Sequence, residues 1–274
     1  ESITADPVAQ IANTHTAFNI VTTLLLLPFG NKLAEIAVKI LPDNEKEEET
    51  IQKLMYIRPF ESNYPVGHAA VVISQIQREI DRMLEKTRKN VEQSYDAVLA
   101  GDAGRLEEIQ EREDYIDYLN GEIARYIVSL MSVEMSERDT KSINSYYLML
   151  GNVERIGDHA INIAEYTQFM KKWEIRLTEE EKEEIVKMKE ISRQTLEALS
   201  LEDETKSAEI LARVSEGEKE IDEMQKKYLK RQIKRAKKGE SKAECGIMFS
   251  EMLTDFERIG DYALNVAQLY DEMA

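Results

Sequence analysis

The sequence predicts an all-α protein made of two tandem three-helix bundles, preceded by an apolar, membrane-associated helical segment. Three observations lead there. Only 5 of the 274 residues are proline and 11 glycine, and every proline precedes residue 66, so roughly the last 200 residues lack the strongest helix breaker. Beyond Gly67, apolar residues recur at the three- and four-residue spacing of an amphipathic helix. Two similar strings, NVERIGDHAINIAEY at 152–166 and DFERIGDYALNVAQLY at 255–270, then point to a duplicated helical unit.

Taken in chain order, residues 1–44 are the apolar segment, with AFNIVTTLLLLPFG and NKLAEIAVKILP divided by Pro28 and Gly30. Neither piece supplies the ~20 apolar residues of a bilayer span, and Asn31, Lys32, Glu35 and Lys39 interrupt the run, so hydropathy leaves a membrane helix and a docking helix both open. The chain opens at Glu1 without the basic and apolar stretches of a secretory signal and reads as a piece of a longer protein. Residues 45–67, with the acidic run before Thr50 and two prolines in RPFESNYPVG, read as a linker. Turn signals then divide the remainder into helices over 68–99, 103–134, 138–171, 178–200, 203–237 and 240–272. Short connections favour antiparallel neighbours, so the helices group as one unit over 68–171 and a second over 172–274. Tyr146, Tyr147, Met149, Met248, Met252 and Cys245 fall at core spacing.

The charge balance narrows the function. A net charge of −17 opposes the phosphate attraction behind nucleic-acid binding and favours cations. The lone Cys245 excludes an internal disulfide and a thiolate metal cluster, and suits a reducing compartment. His15, His68 and His159 are too scattered for a zinc triad. With no phosphate-binding glycine loop, no GxSxG elbow and no Cys/His nucleophile, the chain does not read as an enzyme. A basic run at 226–238, KKYLKRQIKRAKK, suits a helix C-terminus and also an anionic membrane surface.

The chemistry concentrates in four Glu-x-x-x-Asp pairs: Glu113/Asp117, Glu154/Asp158, Glu218/Asp222 and Glu257/Asp261. Residues four apart share a helix face, so each pair aims two carboxylates in one direction, and the stripe continues to Asn162 and Asn265. If the second and third helices of each unit face one another, four acids converge per unit. Like charges in a groove need compensation. Three readings remain open: a metal patch, an inter-helix salt-bridge network with Arg155 and Arg258, or solvated faces, since about ten acidic pairs at this spacing arise by chance in so acidic a chain. Repetition at matched positions favours a site, as do Gly157 and Gly260, which cost about 1 kcal/mol in a helix unless something approaches closely.

The ERIGDHAINIA and ERIGDYALNVA strings with their upstream ExxxD partners, EREDYIDYL and EGEKEIDEM, resemble the PhoU family over about residues 68–274. The resemblance implies two repeated three-helix bundles, negative regulation of phosphate uptake, and a multinuclear metal on the eight carboxylates named above, iron foremost, with manganese, zinc or magnesium as alternatives. Residues 1–42, in particular QIANTHTAFNIVTTLLLLPF, are similar to the closing membrane segment of bacterial sodium-dependent phosphate cotransporters. That likeness implies a membrane transporter domain as partner and a place at the cytoplasmic face of the cell membrane. The membrane surface and a second copy of the chain are further candidate partners. The chain departs from repeat symmetry where His159 follows Asp158 and Tyr262 follows Asp261, which puts the equivalence of the two sites in question. A metal-independent helical scaffold with salt-bridged carboxylates is the competing expectation.

Overall fold

The computed structural model describes residues 15–22, 53–57, 69–131, 135–201 and 204–273. Among them are seven α-helices and no strand: α1 over 15–22, α2 Ala69–Ala100, α3 Leu106–Leu130, α4 Glu137–Lys172, α5 Glu179–Ala198, α6 Ser207–Lys238 and α7 Ala243–Asp271. The chain divides into two compact units, Glu1–Gln52 and Lys53–Ala274. In the first, α1 is the described element, and it exposes Phe18, Ile20 and Val21. The rest of the predicted apolar segment 1–44 lies outside the described residues. Among those described, no helix is long and apolar enough to cross a membrane.

In the second unit, local chemistry sets the helix ends. Thr178 and Glu181 form a capping box at the start of α5, each side chain satisfying a backbone N–H of the other. Ser136 Oγ accepts from the Asp139 N–H at the start of α4, and Gly239 closes α6 at φ 71°, a left-handed conformation that suits glycine. Helices α3, α6 and α7 start three or four residues later than their spacing predicts. A 3-10 turn at Ala103–Arg105, pinned by Asp102 accepting from the Gly104 N–H, delays α3, and a second at Glu204–Lys206 precedes α6.

Helices α2, α3 and α4 pack together, as do α5, α6 and α7 in the second repeat. The repeats also pack on each other through α4 with α7 and α2 with α5, and one apolar cluster runs from Ile57 to Met273. The two predicted bundles therefore share a single core. The buried stripe of α4, from Ile143 through Val153, Ile156 and Ala160 to Met170, is wide enough to serve both its own repeat and the neighbouring one. Each large apolar side chain buried there contributes roughly 1.5–3 kcal/mol before entropy is counted. Tyr146, Met149, Met248, Met252 and Cys245 are buried, whereas Tyr147 is exposed: it lies about 100° around the helix from Tyr146 and leaves the stripe.

Part of the predicted linker is docked rather than free. The backbone N–H groups of Met55, Tyr56 and Ile57 donate to Glu79 Oε1, the latter two at 2.6 and 3.5 Å, and Ile57 is buried. Arg82 pairs with Glu79 Oε2 at 2.7 Å and donates to Tyr115 Oη and the Lys53 carbonyl. A fully buried carboxylate would be costly without these donors; with them it fastens residues 53–57 to α2 and α3. Sequence spacing had no means of seeing this contact, because it joins residues more than twenty positions apart.

Candidate functional site

Because α3 packs on α4 and α6 on α7, the four ExxxD pairs come together two by two. In the first patch Glu113 of α3 is only 3 % exposed and lies against α4. A Cβ built on Gly157 would stand 2.6 and 2.8 Å from the two Glu113 carboxylate oxygens, so glycine there leaves the space the carboxylate fills. Gly157 flanks the Glu154/Asp158 face of α4, which brings the Glu113 carboxyl close enough to feel both charges. Asn90 Nδ2 donates to Glu113 Oε2 at 3.1 Å, and Asn90 is itself held by Arg112 at 2.8 Å. Glu113 Oε1 is buried with no hydrogen-bond partner.

The electrostatics follow from that placement. Burial, reinforced by the charges of Asp117, Asp158 and Glu154, pushes the Glu113 carboxyl up to about 8, the Asn90 hydrogen bond opposing only in part. Burial and then Asp158 also raise Asp117, and burial followed by Asp158 and Asp117 raises Glu154. Among the described residues none of these four acids is ion-paired. Arg155, the predicted compensating cation, turns instead to Tyr262, donating to its Oη at 3.4 Å and lying over its ring.

The second patch differs. Glu218, Asp222, Glu257 and Asp261 are all half-buried. Burial and then Asp222, Asp261 and Glu257 raise Glu218, but Lys226 opposes them. Lys226 Nζ stands 2.6 Å from Asp222, and Arg258 Nη1 3.1 Å from Asp261. Gly260 faces Ile221 rather than a carboxylate. Both pairs lie within one helix, so the inter-helix network expected from the sequence forms in neither patch, although local cations answer two acids of the second.

A metal would be gathered by carboxylate oxygens in either patch, a donor set suited to hard and borderline divalent ions. The first patch fits such an ion: it offers a buried oxygen that nothing else satisfies and a glycine that holds its carboxylate against the neighbouring helix. The side chains form an open arrangement, and among the described residues no three His, Cys, Asp or Glu side chains converge on one point. Gripping an ion therefore takes rotamer changes, for which the exposed Asp117 and Asp158 are free. The second patch offers no orphaned oxygen among its described atoms.

A third cluster lies on the seam between α4 and α7. Asp255 is buried and receives His159 Nδ1 at 2.8 Å, Asn162 Nδ2 at 3.2 Å and Tyr166 Oη at 2.6 Å. His159 stacks on Tyr262, its counterpart in the other repeat, with ring centroids 5.7 Å apart. Asn265 donates to Asn152 at 3.1 Å in the matching position. The two asparagines predicted to extend the carboxylate stripe thus cross the seam, and His159 is tied to Asp255. Asp255 was missed because one acid within a long helix carries no signal; its replacement of Asn152 in the aligned repeats is the one clue the sequence holds. Four of the eight basic residues in the run are paired within the fold: Arg231 and Arg235 with buried Glu184, Lys226 with Asp222 and Lys238 with Glu240.

Comparison with known proteins bears on the fold and the family. Two relatives, each 23% identical, are a phosphate-specific transport system accessory protein PhoU homolog 1 of Thermotoga maritima, aligned over 72% of this chain and 84% of its own length, and a PhoU homolog of Clostridium acetobutylicum, aligned over 72% and 89%. The crystal structures of the regulatory protein PhoU from Streptococcus pneumoniae and of PhoU from Pseudomonas aeruginosa share the fold, with TM-scores of 0.65 and 0.67 at 19% and 20% identity. They cover 75% and 73% of this chain, and 96% of each of those chains. The PhoU domain matches residues 80–167 and again 185–270, one match per repeat, and the chain therefore belongs to the PhoU family.

Proposed function

We propose that this chain is a regulator of phosphate transport, of the kind its relatives are named for, which binds metal at its carboxylate patches and acts on a sodium-dependent phosphate transporter at the cytoplasmic face of the membrane. The observation that carries it is the duplicated carboxylate pattern, each copy of which lies within one of the two PhoU-domain matches. The family is regulatory, so no catalytic role is assigned. Glu113, Asp117, Glu154 and Asp158 would hold metal in the first repeat, and Glu218, Asp222, Glu257 and Asp261 in the second. A bound ion supplies the positive charge that the first patch lacks. Asn90 orients Glu113 for it, and Gly157 keeps the carboxylate on α4. Iron is the first choice of metal, followed by manganese, zinc and magnesium. The transporter as partner is supported by the likeness of residues 1–42 to a cotransporter's last membrane segment and by the clamp that fastens residues 53–57 to α2 and α3.

Elemental analysis of the purified chain, with phosphate uptake measured in cells carrying or lacking it, tests both halves. Stoichiometric metal and altered uptake are expected; metal below 0.1 per chain and unchanged uptake would remove the proposal. A second reading, a metal-independent scaffold, draws on the Lys226–Asp222 and Arg258–Asp261 pairs. It predicts no bound metal together with altered uptake.

A further inference from the structure

We infer that the two patches are unequal cation sites: the first takes divalent metal tightly, while the second is held by its own cations, Lys226 and Arg258, and takes metal only in competition with them. The inference rests on the metal-binding reading above and concerns how this chain divides that role.

The strength of a carboxylate site depends on what the acids do without the ion. In the first patch Glu113 is buried, its Oε1 has no partner, and Gly157 leaves open the space its carboxylate fills. Asp117, Glu154 and Asp158 surround it without an ion pair among the described residues. An arriving cation displaces no ammonium or guanidinium there and satisfies an oxygen already removed from water. In the second patch an ion must displace the Lys226 ammonium from Asp222 at 2.6 Å and the Arg258 guanidinium from Asp261 at 3.1 Å. None of its acids is a buried carboxylate with an oxygen left unsatisfied, as Glu113 is.

The source of the inequality is visible in the aligned repeats. Lys226 corresponds to Gly121, which has no side chain to reach Asp117. Arg258 corresponds to Arg155, which leaves its own acids because Tyr262 of the other repeat offers a hydroxyl and a ring face. Neither difference lies among the eight carboxylates.

The test is Mn2+ titration of the chelator-stripped full chain, followed by calorimetry and by the EPR signal of free Mn2+. The wild type should show a tight class and a class at least tenfold weaker. Glu113→Gln should abolish the tight class, with Asp117→Asn as the substitute if the first variant loses its circular dichroism. Glu218→Gln should leave the tight class intact. Lys226→Ala combined with Arg258→Ala should tighten the weak class at least tenfold and leave the tight one unchanged. Two equal classes in the wild type, or loss of the tight class in Glu218→Gln but not in Glu113→Gln, would overturn the inequality while leaving metal binding in place. No Mn2+ uptake in the wild type or in the double variant would overturn the metal reading as well.

Discussion

In the first repeat the inner motif acid, Glu113, is buried with one oxygen unsatisfied, whereas its counterpart in the second, Glu218, stands half-exposed among acids answered by Lys226 and Arg258. The motif is the same in both. The difference comes from residues around it: Asn90 and Gly157 shape the pocket for Glu113, and Gly121 and Tyr262 deprive the first patch of the cations that the second retains. A repeated carboxylate pattern thus specifies where acids are placed, and the flanking side chains decide whether their charge is already answered.

Several changes would break or sharpen this contrast. The largest effect is expected from Glu113→Gln in the metal-free protein. A carboxyl held near 8 in the folded chain and near 4.5 in the unfolded one makes the native state bind more protons between those values. Stability is therefore full below about pH 4.5 and falls as pH rises toward 8. The glutamine variant should be more stable than the wild type at pH 8 by on the order of 3 kcal/mol, with the gap closing by pH 5. Urea denaturation at the two pH values measures it, and an equal gap at both would refute the buried-acid account.

Next in size is Gly157→Ala. Its Cβ would meet the Glu113 carboxylate at 2.6 Å, and displacing that group should cost about 1–3 kcal/mol, more than the roughly 1 kcal/mol alanine adds to a helix. In Gly260→Ala the new Cβ meets Ile221 Cδ1 at 3.0 Å and Cγ2 at 3.2 Å, looser than the 2.6 Å at Gly157, so its urea midpoint should fall less than that of Gly157→Ala. At the seam, Asp255→Ala should cost about 1–3 kcal/mol by orphaning His159, Asn162 and Tyr166, against under about 0.5 kcal/mol for Asn152→Ala. Thermal denaturation of the pair would show it. The smallest effect belongs to Lys226→Ala, whose denaturation midpoint should stay at the wild-type value, since an exposed ion pair contributes little to folding. A loss by the same denaturation would mean that Lys226 supports the bundle itself.

The helices were legible because their signals are local: spacing places Val153, Ile156 and Ala160 on one stripe, and Thr178 with Glu181 announces a helix start. The eight carboxylates were legible through repetition. Asp255, Asn90 and the Glu79 clamp were not, because each gains its role from partners far away in sequence. A lone polar residue in a helix looks the same whether it meets water or a buried neighbour.

The sequence by itself determined that the chain is helical, duplicated and acidic, and that its acids lie in matched pairs one turn apart. These follow from periodicity and composition, which each stretch of chain carries within itself. Only the tertiary structure decided that the repeats share one core, that Arg155 turns to Tyr262 while Arg258 stays with Asp261, and that Glu113 is the acid left with an unsatisfied oxygen. Burial and charge pairing are properties of what surrounds a group, and packing between distant segments alone sets those surroundings.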